Sequence, residues 1–175
     1  MTTTAKNNIR DIVLAGTSAA LFAVISQLSL PLPSGVPVTL QTFAAALCGY
    51  ILGTKRGMNA VSSYIFLGVF GVPVFSGFKC GFSAIVGPTG GFILGFLLIA
   101  ALCGVGSRSK SRHGAVLWGV IGIISAHLLG VIWFSAVVDV NLLAGMLAAS
   151  LPYIGKDILF IVAAADLGVA VRNHM

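Results

Sequence analysis

The chain has 175 residues, of which 58% are hydrophobic and only 8% are charged. This composition is typical of a polytopic membrane protein and argues against a soluble domain. The formal net charge of +6 could suggest nucleic-acid binding, but the basic residues occur in small groups between apolar stretches, which is the pattern of membrane topology signals. We therefore predict an all-α protein with one integral membrane domain over residues 1–175 and no nucleic-acid partner.

Six apolar stretches are candidate membrane spans, judged against the roughly 20 residues that cross a bilayer core. The second and third are short for a span. A further short helix could form over residues 141–154. The six predicted spans cover about residues 9–30, 38–52, 57–70, 89–105, 114–137 and 157–171.

The basic residues predict how these spans are oriented. Eight of them fall on one side of a six-span chain, namely Lys6, Arg10, Lys55, Arg56, Arg108, Lys110, Arg112 and Arg172. By the positive-inside rule that side is cytoplasmic, so we expect both termini in the cytoplasm of a multi-pass protein of the cell membrane. Only Lys79 and Lys156 fall on the outer side, which makes them candidates for ligand binding. The first span lacks a convincing cleavage site, so we expect it to be retained.

The first span carries small residues at four-residue spacing, Ala15, Ala19 and Ala23. Such a stripe lies on one face of a helix and allows another helix to approach closely. Two roles fit the spacing: packing inside this chain, which is common for small residues in membrane helices, and docking onto another subunit.

The connection between the first two spans contains the sequence GVPVTLQTF, in which Gln41 falls in the first turn of span two. The amide of Gln41 offers both hydrogen-bond donors and acceptors. It could face a cavity beneath the outer surface or lie at the helix end in water.

The loop between spans three and four, residues 71–91, is polar, rich in glycine and carries a cation. Irregular backbone at membrane depth is tolerated where it is buried in protein or lines a cavity, so we predict a ligand site here. The aromatic neighbours of Lys79 are Phe75, Phe78 and Phe82. They could cover an apolar ligand whose acidic end meets Lys79, or they could contact lipid or the core while Lys79 extends to the interface.

Span four opens with the sequence GPTGG at residues 87–91, which places proline where a helix can begin. The free N–H groups of a helix start attract anions, so Thr89 and Gly90 could hold a carboxylate together with Lys79. The structural explanation of these glycines is that they permit close backbone approach.

The last outer connection contains Asn141, Tyr153, Lys156 and Asp157. At the predicted start of span six, Asp157 could cap the helix or accept N–H bonds from a neutral ligand group. Lys156 could pair with a ligand carboxylate or lie in water. Two further ionisable residues are predicted within spans, where an unpaired charge is costly: Asp166 in span six and His127 in span five.

Motifs for catalysis are missing from the sequence. There is no phosphate-binding G-x-x-x-x-G-K-[ST] sequence, no Cys/His set with metal-ligand spacing and no G-x-S-x-G nucleophile elbow. We therefore predict no catalytic residue, no metal and no cofactor.

These residues together resemble the BioY family, the biotin-specific substrate-binding (S) components of energy-coupling factor (ECF) transporters. The resemblance covers nearly the whole chain and is carried by the alanine stripe, GVPVTLQTF, LGTKRG, GVPVFSGF, GPTGGFILGF and PYIGKDI. It implies a six-helix S-component fold with a biotin pocket near the outer surface, closed by the 71–91 loop. It also implies docking, through the alanine face, onto a transmembrane coupling (T) subunit that sits on two ATP-binding-cassette ATPases.

The resemblance assigns parts of biotin to residues of this chain. The ureido end would meet Asp157 with Asn141 or Gln41. The ring would meet Phe75, Phe82 and Tyr153, and the carboxylate tail would meet Lys79, Lys156 or the start of span four at Thr89 and Gly90. The competing interpretation is a self-sufficient facilitator or proton-coupled carrier in which His127 and Asp166 form part of a relay.

Overall fold

A computed structural model describes residues 3–32 and 36–172, with side chains described from residue 9 onward. Residues 33–35, in the predicted connection between spans one and two, and the Lys6 side chain lie outside this description. The described residues form seven α-helices, one short 3-10 helix at Ser76–Phe78 and one antiparallel strand pair. The helices are α1 Thr3–Ser26, α2 Gln41–Val69, α3 Phe82–Val86, α4 Gly90–Gly106, α5 Arg112–Val138, α6 Leu142–Ala149 and α7 Leu151–Arg172, and the strands are β1 Ser29–Leu30 and β2 Val38–Thr39.

Two helix boundaries differ from those expected from hydropathy. The first helix ends at Ser26 and not near residue 30, because the chain turns there and enters β1. The last helix begins at Leu151, six residues before the predicted start, with Pro152 in its first turn, where a missing N–H costs nothing. Asp157 therefore lies inside α7, and the interpretation that it caps this helix is wrong.

Gly53 interrupts α2 in the middle of the LGTKRG motif. Its backbone has φ 77° and ψ 176°, a conformation that is not helical and that glycine adopts readily. A Cβ on Gly57 would lie 2.7 Å from the Cys48 carbonyl oxygen, whereas residues nine apart in a straight helix are about 14 Å apart. The chain therefore turns sharply at Gly53, and the two segments of α2 pack against each other.

Glycines also allow the helices of the bundle to approach closely. A Cβ on Gly49 would lie 2.4 Å from the Ala100 carbonyl oxygen, and one on Gly95 would lie 2.8 Å from the Cβ of Ala126. Neither distance is tolerated, so α2 contacts α4, and α4 contacts α5, through backbone surfaces. This contact brings the elements that carry the candidate site together.

Among the described residues, two helical segments are long and apolar enough to cross a membrane, Ile9–Ser26 within α1 and the whole of α5, and α4 is a shorter apolar helix. Large apolar side chains on their outer faces are exposed, for example Ile12 at 71% and Leu128 at 61%. Surfaces of this kind suit contact with lipid or with another apolar helix. These features support a membrane protein, whereas the number of spans and the side of the termini stay predictions.

The alanine stripe of α1 faces the interior of the protein. Ala19 is 1% exposed, and Ala15 and Ala23 are partly buried. The small side chain of Ala19 serves packing within the bundle, and Ala19 also lines a groove between α1 and α2, so the docking role of the stripe stays a prediction. The adjacent Gly16 and Ala20 are exposed instead.

Two ion pairs join helix ends that the charge pattern predicts to be on one side of the membrane. Arg56 in α2 contacts Asp11 in α1 at 2.6 Å, and Arg112 in α5 contacts both carboxylate oxygens of Asp166 in α7 at 2.6 and 2.8 Å. Asp166, which was expected to need a partner, thus has one. Both pairs are about half exposed, so their contribution to stability is small.

The end of α1 holds the 71–91 loop by hydrogen bonds. The Ser26 hydroxyl donates to the Val74 carbonyl oxygen, and the Gln27 amide nitrogen donates to the Val74 and Phe75 carbonyl oxygens at 3.1 and 3.3 Å. The Gln27 amide oxygen accepts the backbone N–H of Phe78 at 2.9 Å. One side chain therefore connects α1 to three residues of the loop.

We predict that Gln27→Ala loosens the 71–91 loop without unfolding the bundle. Losing these three hydrogen bonds should raise amide hydrogen exchange in residues 74–82 at least about fivefold. Exchange measured by mass spectrometry on the purified protein tests this. The matched control is Leu28→Ala, since the neighbouring Leu28 side chain is exposed. Equal exchange in the two variants would contradict the role given to Gln27.

Candidate functional site

The candidate site is a cavity of about 470 Å³ lined by the 71–91 loop, the helix bundle and the strand β2. Its volume falls in the range of ordinary small-molecule sites. Its wall combines apolar side chains with a few polar groups. The lining residues include Thr39, Gln41, Phe75, Phe78, Lys79, Thr89, Phe92, Phe96, His127, Tyr153, Lys156 and Asp157.

Asp157 provides a buried carboxylate in this cavity. It is 3% exposed and lies two turns into α7. Its Oδ1 accepts from Lys156 Nζ at 2.5 Å, and its Oδ2 lies 3.1 Å from His127 Nε2. A buried carboxylate without partners would be very costly, and these two contacts offset that cost. Each carboxylate oxygen keeps acceptor capacity beyond these two bonds.

Lys156 is committed to neighbouring protein groups. Besides Asp157, its ammonium group donates to the Thr39 carbonyl oxygen at 3.4 Å and lies over the rings of Tyr153 and Phe160 at 5.8 and 5.3 Å. Lys156 therefore compensates the charge of Asp157 and ties α7 to β2.

Lys79 is the other cation of the cavity wall. It is exposed and forms no ion pair with any residue in the described ranges. A tight turn presents it, since the Phe75 N–H donates to the Lys79 carbonyl oxygen at 3.0 Å. Within this turn Gly77 and Phe78 both adopt left-handed backbone, with φ 70° and 58°. For a bulky residue such as Phe78 this conformation is strained.

The cavity wall therefore carries a net charge of about one positive unit when His127 is neutral. Lys156 offsets Asp157, and Lys79 is left without an opposite charge among the described residues. Such a wall suits a ligand with one negative charge and N–H donors. The donors would meet Asp157 and the negative group would meet Lys79.

An aromatic cluster supports the loop side of the cavity. Phe75 is 2% exposed and meets Tyr64 edge-on, and Phe22 stacks on the other side of Tyr64 at 4.0 Å. Gly68 makes this packing possible, because a Cβ there would lie 2.2 Å from the Phe75 ring. The position of Phe75 is thus set by the core and not by lipid.

Two predicted polar residues are fixed by hydrogen bonds near the cavity. Gln41 is 6% exposed, and its amide nitrogen donates to the Tyr64 hydroxyl at 2.8 Å. The Tyr153 hydroxyl donates to the Val36 carbonyl oxygen at 2.5 Å. Gln41 therefore faces the protein and not the water at a helix end, and Tyr153 holds the chain that precedes β2.

Three of the residues predicted for the site lie outside the cavity wall. Asn141 is exposed and caps α6, its side-chain oxygen accepting from the Ala144 N–H at 2.8 Å. Phe82 is 65% exposed and does not line the cavity. Gly90 serves helix packing, since a Cβ there would lie 1.6 Å from the Ile85 carbonyl oxygen. None of these three residues lines the cavity, whereas Thr89 does, and their ligand roles stay predictions.

His127 belongs to the cavity wall, a role that sequence reasoning did not give it. It bonds to Asp157 and not to Asp166, which lies nine residues, or about 14 Å, further along α7. Since Asp166 is paired with Arg112, the relay between His127 and Asp166 that a proton-coupled carrier would need is not formed by direct contact.

Phe92 and Ser150 were also missed as parts of the site. Phe92 packs edge-on against the His127 ring at 5.8 Å, in space left by Gly130, where a Cβ would lie 2.3 Å from the Phe92 ring. Phe92 follows Thr89 by three residues, so helical spacing from GPTGG could have indicated it. No sequence signal indicates Ser150, whose role depends on the meeting of α5 with the α6–α7 junction.

Comparison with known proteins gives consistent matches over the whole chain. A model of the BioY family matches residues 1–175. A protein of Thermotoga maritima named biotin transporter BioY is 35% identical over 166 residues, which cover 94% of this chain and 97% of that protein. A probable biotin transporter BioY of Pyrococcus horikoshii is 36% identical over 149 residues, which cover 85% of this chain and 88% of that protein.

A solved structure shares the fold. It is the crystal structure at 2.1 Å of the S-component for biotin from an ECF-type ABC transporter, and it superposes with a TM-score of 0.86 at 24% identity. The match covers 99% of this chain and 95% of that chain. The predicted S-component fold is thereby confirmed. With a family model that matches its full length and relatives of this similarity, the chain belongs to the BioY family.

Proposed function

We propose that this membrane protein is a high-affinity biotin-binding subunit for biotin uptake. The observation that carries the proposal is the buried Asp157 carboxylate, which faces a cavity whose wall is otherwise mostly apolar and contains the cation Lys79. The names of the relatives support it. Because these relatives are named transporters, we assign the chain a role in transport and not in catalysis.

Biotin matches this cavity part by part. Its ureido group has two N–H donors and a carbonyl, its thiophane ring is apolar, and its aliphatic tail ends in a carboxylate. Asp157 would accept the ureido N–H groups. Gln41, which also lines the cavity, would contact the same part of biotin. Phe75, Phe92 and Tyr153 would cover the apolar ring.

Lys79 is the better partner for the biotin carboxylate. The ammonium group of Lys156 already contacts Asp157 Oδ1 at 2.5 Å, so a second anion would have to compete with that ion pair. Lys79 has no such partner among the described residues and is carried by the loop that closes the cavity. Thr89, also in the wall, could add a hydroxyl donor.

Uptake driven by ATP would require partner subunits, because the sequence has no ATP-binding motif. We propose that the chain works with a transmembrane T subunit and two ABC-type ATPases as a multi-pass protein of the cell membrane. The exposed face of α1 is the expected docking surface, since only 17% of its apolar window is buried, compared with 44% for α5. Small residues, Gly16 and Ser63 among them, line a groove there between α1 and α2.

We predict that Asp157→Asn weakens biotin binding by about one to two orders of magnitude, because a charged acceptor of N–H bonds is replaced by a neutral amide. Titration of the purified variant with biotin measures this. Asp166→Asn is the matched control, since Asp166 is exposed and paired with Arg112.

Lipoate, which has a carboxylate tail but no ureido ring, should bind weakly to the unmodified protein and desthiobiotin should bind well. Equal binding of biotin, desthiobiotin and lipoate would refute the ureido assignment.

We predict that Lys79→Met lowers the affinity for biotin about threefold to tenfold, in keeping with a partly exposed ion pair. Affinity for the neutral biotin amide should not change, because that ligand has no negative charge for Lys79 to meet. Lys110→Met, which removes a cation far from the cavity wall, provides the control. A Lys79→Met variant that loses both ligands equally would show that Lys79 supports the loop and not the carboxylate.

We predict that cells take up labelled biotin efficiently only when the T subunit and ATPases are produced together with this chain. Gly16→Leu should lower this coupled uptake at unchanged biotin affinity, because a Cβ at Gly16 has no atom of its own protein within 4 Å and a larger side chain there would meet a docked partner. Gly155→Leu, at an equally open position on α7, is the matched control. Uptake by the chain alone that is equally fast and sensitive to the proton gradient would favour the carrier.

A further inference from the structure

Three buried side chains form a hydrogen-bonded chain that runs from the cavity wall into the protein. Ser150 Oγ lies 2.9 Å from His127 Nδ1, and His127 Nε2 lies 3.1 Å from Asp157 Oδ2. Their exposures are 3%, 9% and 3%. Asp157 and His127 line the cavity, whereas Ser150 does not. The role proposed above for Asp157 leaves His127 and Ser150 unexplained.

The partners of His127 determine where its proton lies. Asp157, held by Lys156 at 2.5 Å, is ionised and can only accept hydrogen bonds. Nε2 of His127 must therefore carry a hydrogen and donate it to Asp157. In the neutral ring Nδ1 is then an acceptor, and the Ser150 hydroxyl can rotate its hydrogen toward it. For a neutral imidazole, the network thus assigns both the tautomer and the hydroxyl orientation.

This arrangement is not that of a serine hydrolase. In such enzymes the imidazole nitrogen opposite the carboxylate takes the proton of a serine that attacks the substrate. Here Ser150 lies behind the ring, outside the cavity wall, and cannot reach a ligand. Its hydroxyl orients the imidazole instead.

In addition to the hydrogen bonds, packing fixes the position of the imidazole. Phe92 meets the ring edge-on, with an interplanar angle of 81°, and Gly130, three residues after His127 on α5, leaves space for Phe92. The ring is therefore constrained by Ser150 at one end, by Asp157 at the other and by Phe92 across its face. Such constraint is what a group needs to orient a neighbouring carboxylate.

We propose that His127, oriented by Ser150, is a positioning residue that aims the Asp157 carboxylate at the ligand. Together with Lys156 it occupies one acceptor position on each carboxylate oxygen and leaves the others for N–H groups of the ligand. His127 makes its contribution through Asp157. This inference rests on the proposed function for the identity of the ligand, but not for the state of the network itself.

The first test examines the network without any ligand. Nitrogen-15 NMR of the purified protein, with the His127 signal identified by its loss in His127→Gln, should show a proton on Nε2 and none on Nδ1. In Ser150→Ala the preference for this tautomer should weaken. A ring with its proton on Nδ1 in the unmodified protein would overturn the proposal, whether or not the protein binds biotin.

The second test is a titration with biotin. His127→Leu should weaken binding about tenfold in the unmodified background and less than about twofold further in Asp157→Asn, because the two side chains act through one contact. His127→Gln should restore affinity to within about threefold, since its amide nitrogen can occupy the place of Nε2. His127→Asn, whose shorter amide cannot reach Asp157, should not restore it.

The outcomes separate the two proposals. Failure of the unmodified protein to bind biotin would refute the proposed function and leave the NMR measurement to decide the network. A second outcome is that the unmodified protein binds biotin, but His127→Leu lowers the affinity by the same factor in the unmodified protein and in Asp157→Asn. This outcome would show that His127 only supports the fold, and it would overturn the positioning role. Unchanged affinity in His127→Leu would overturn it too.

Discussion

The arrangement of the site depends on keeping one carboxylate charged inside an apolar bundle. Burying Asp157 without partners would cost several kcal/mol or more, so the surrounding elements must deliver donors to it at fixed positions. The adjacent residue on α7 brings Lys156, α5 brings His127, and the α6–α7 junction brings Ser150 behind the imidazole. These requirements set where α5 and α7 meet, and that meeting point forms one end of the cavity.

Close helix packing makes this convergence possible. In a membrane the hydrophobic effect does not drive helices together, so contact depends on small residues that allow dense packing. Gly49 and Gly95 bring α2, α4 and α5 into backbone contact, and Gly130 leaves room for Phe92 beside His127. The glycines therefore act on the site from a distance, by determining how near the helices that carry polar groups can come.

Much of the site could be predicted because its residues lie in local patterns that hydropathy does not explain. Asp157, Lys79, Gln41 and Phe75 stand out as polar or aromatic residues in outer connections of an apolar chain, and all four line the cavity. Ser150 could not be predicted, because its meaning arises only when α5 packs against the α6–α7 junction.

Local contacts also explain why some of the predicted site residues lie outside the cavity wall. Asn141 and Gly90 have residue types suited to a ligand, but each is used locally, Asn141 as a helix cap and Gly90 for close backbone contact. Spacing identified the alanine stripe of α1 but not the direction in which it faces. The S-component fold was predicted from the family resemblance. Helix ends such as the start of α7 were not predicted, because they depend on turns and packing that hydropathy does not reflect.

The hydrogen bonds between α1 and the 71–91 loop have a mechanical consequence. The helix α1, which the rest of the bundle covers less than it covers α5, is also the one whose C-terminal end, at Ser26 and Gln27, is hydrogen-bonded to the loop that covers the cavity. A tilt of α1 cannot leave Val74 and Phe78 in place unless these bonds break. A force applied to the outer surface of α1, by lipid or by another protein, would therefore displace the loop at the entrance of the cavity without contact to any residue inside it.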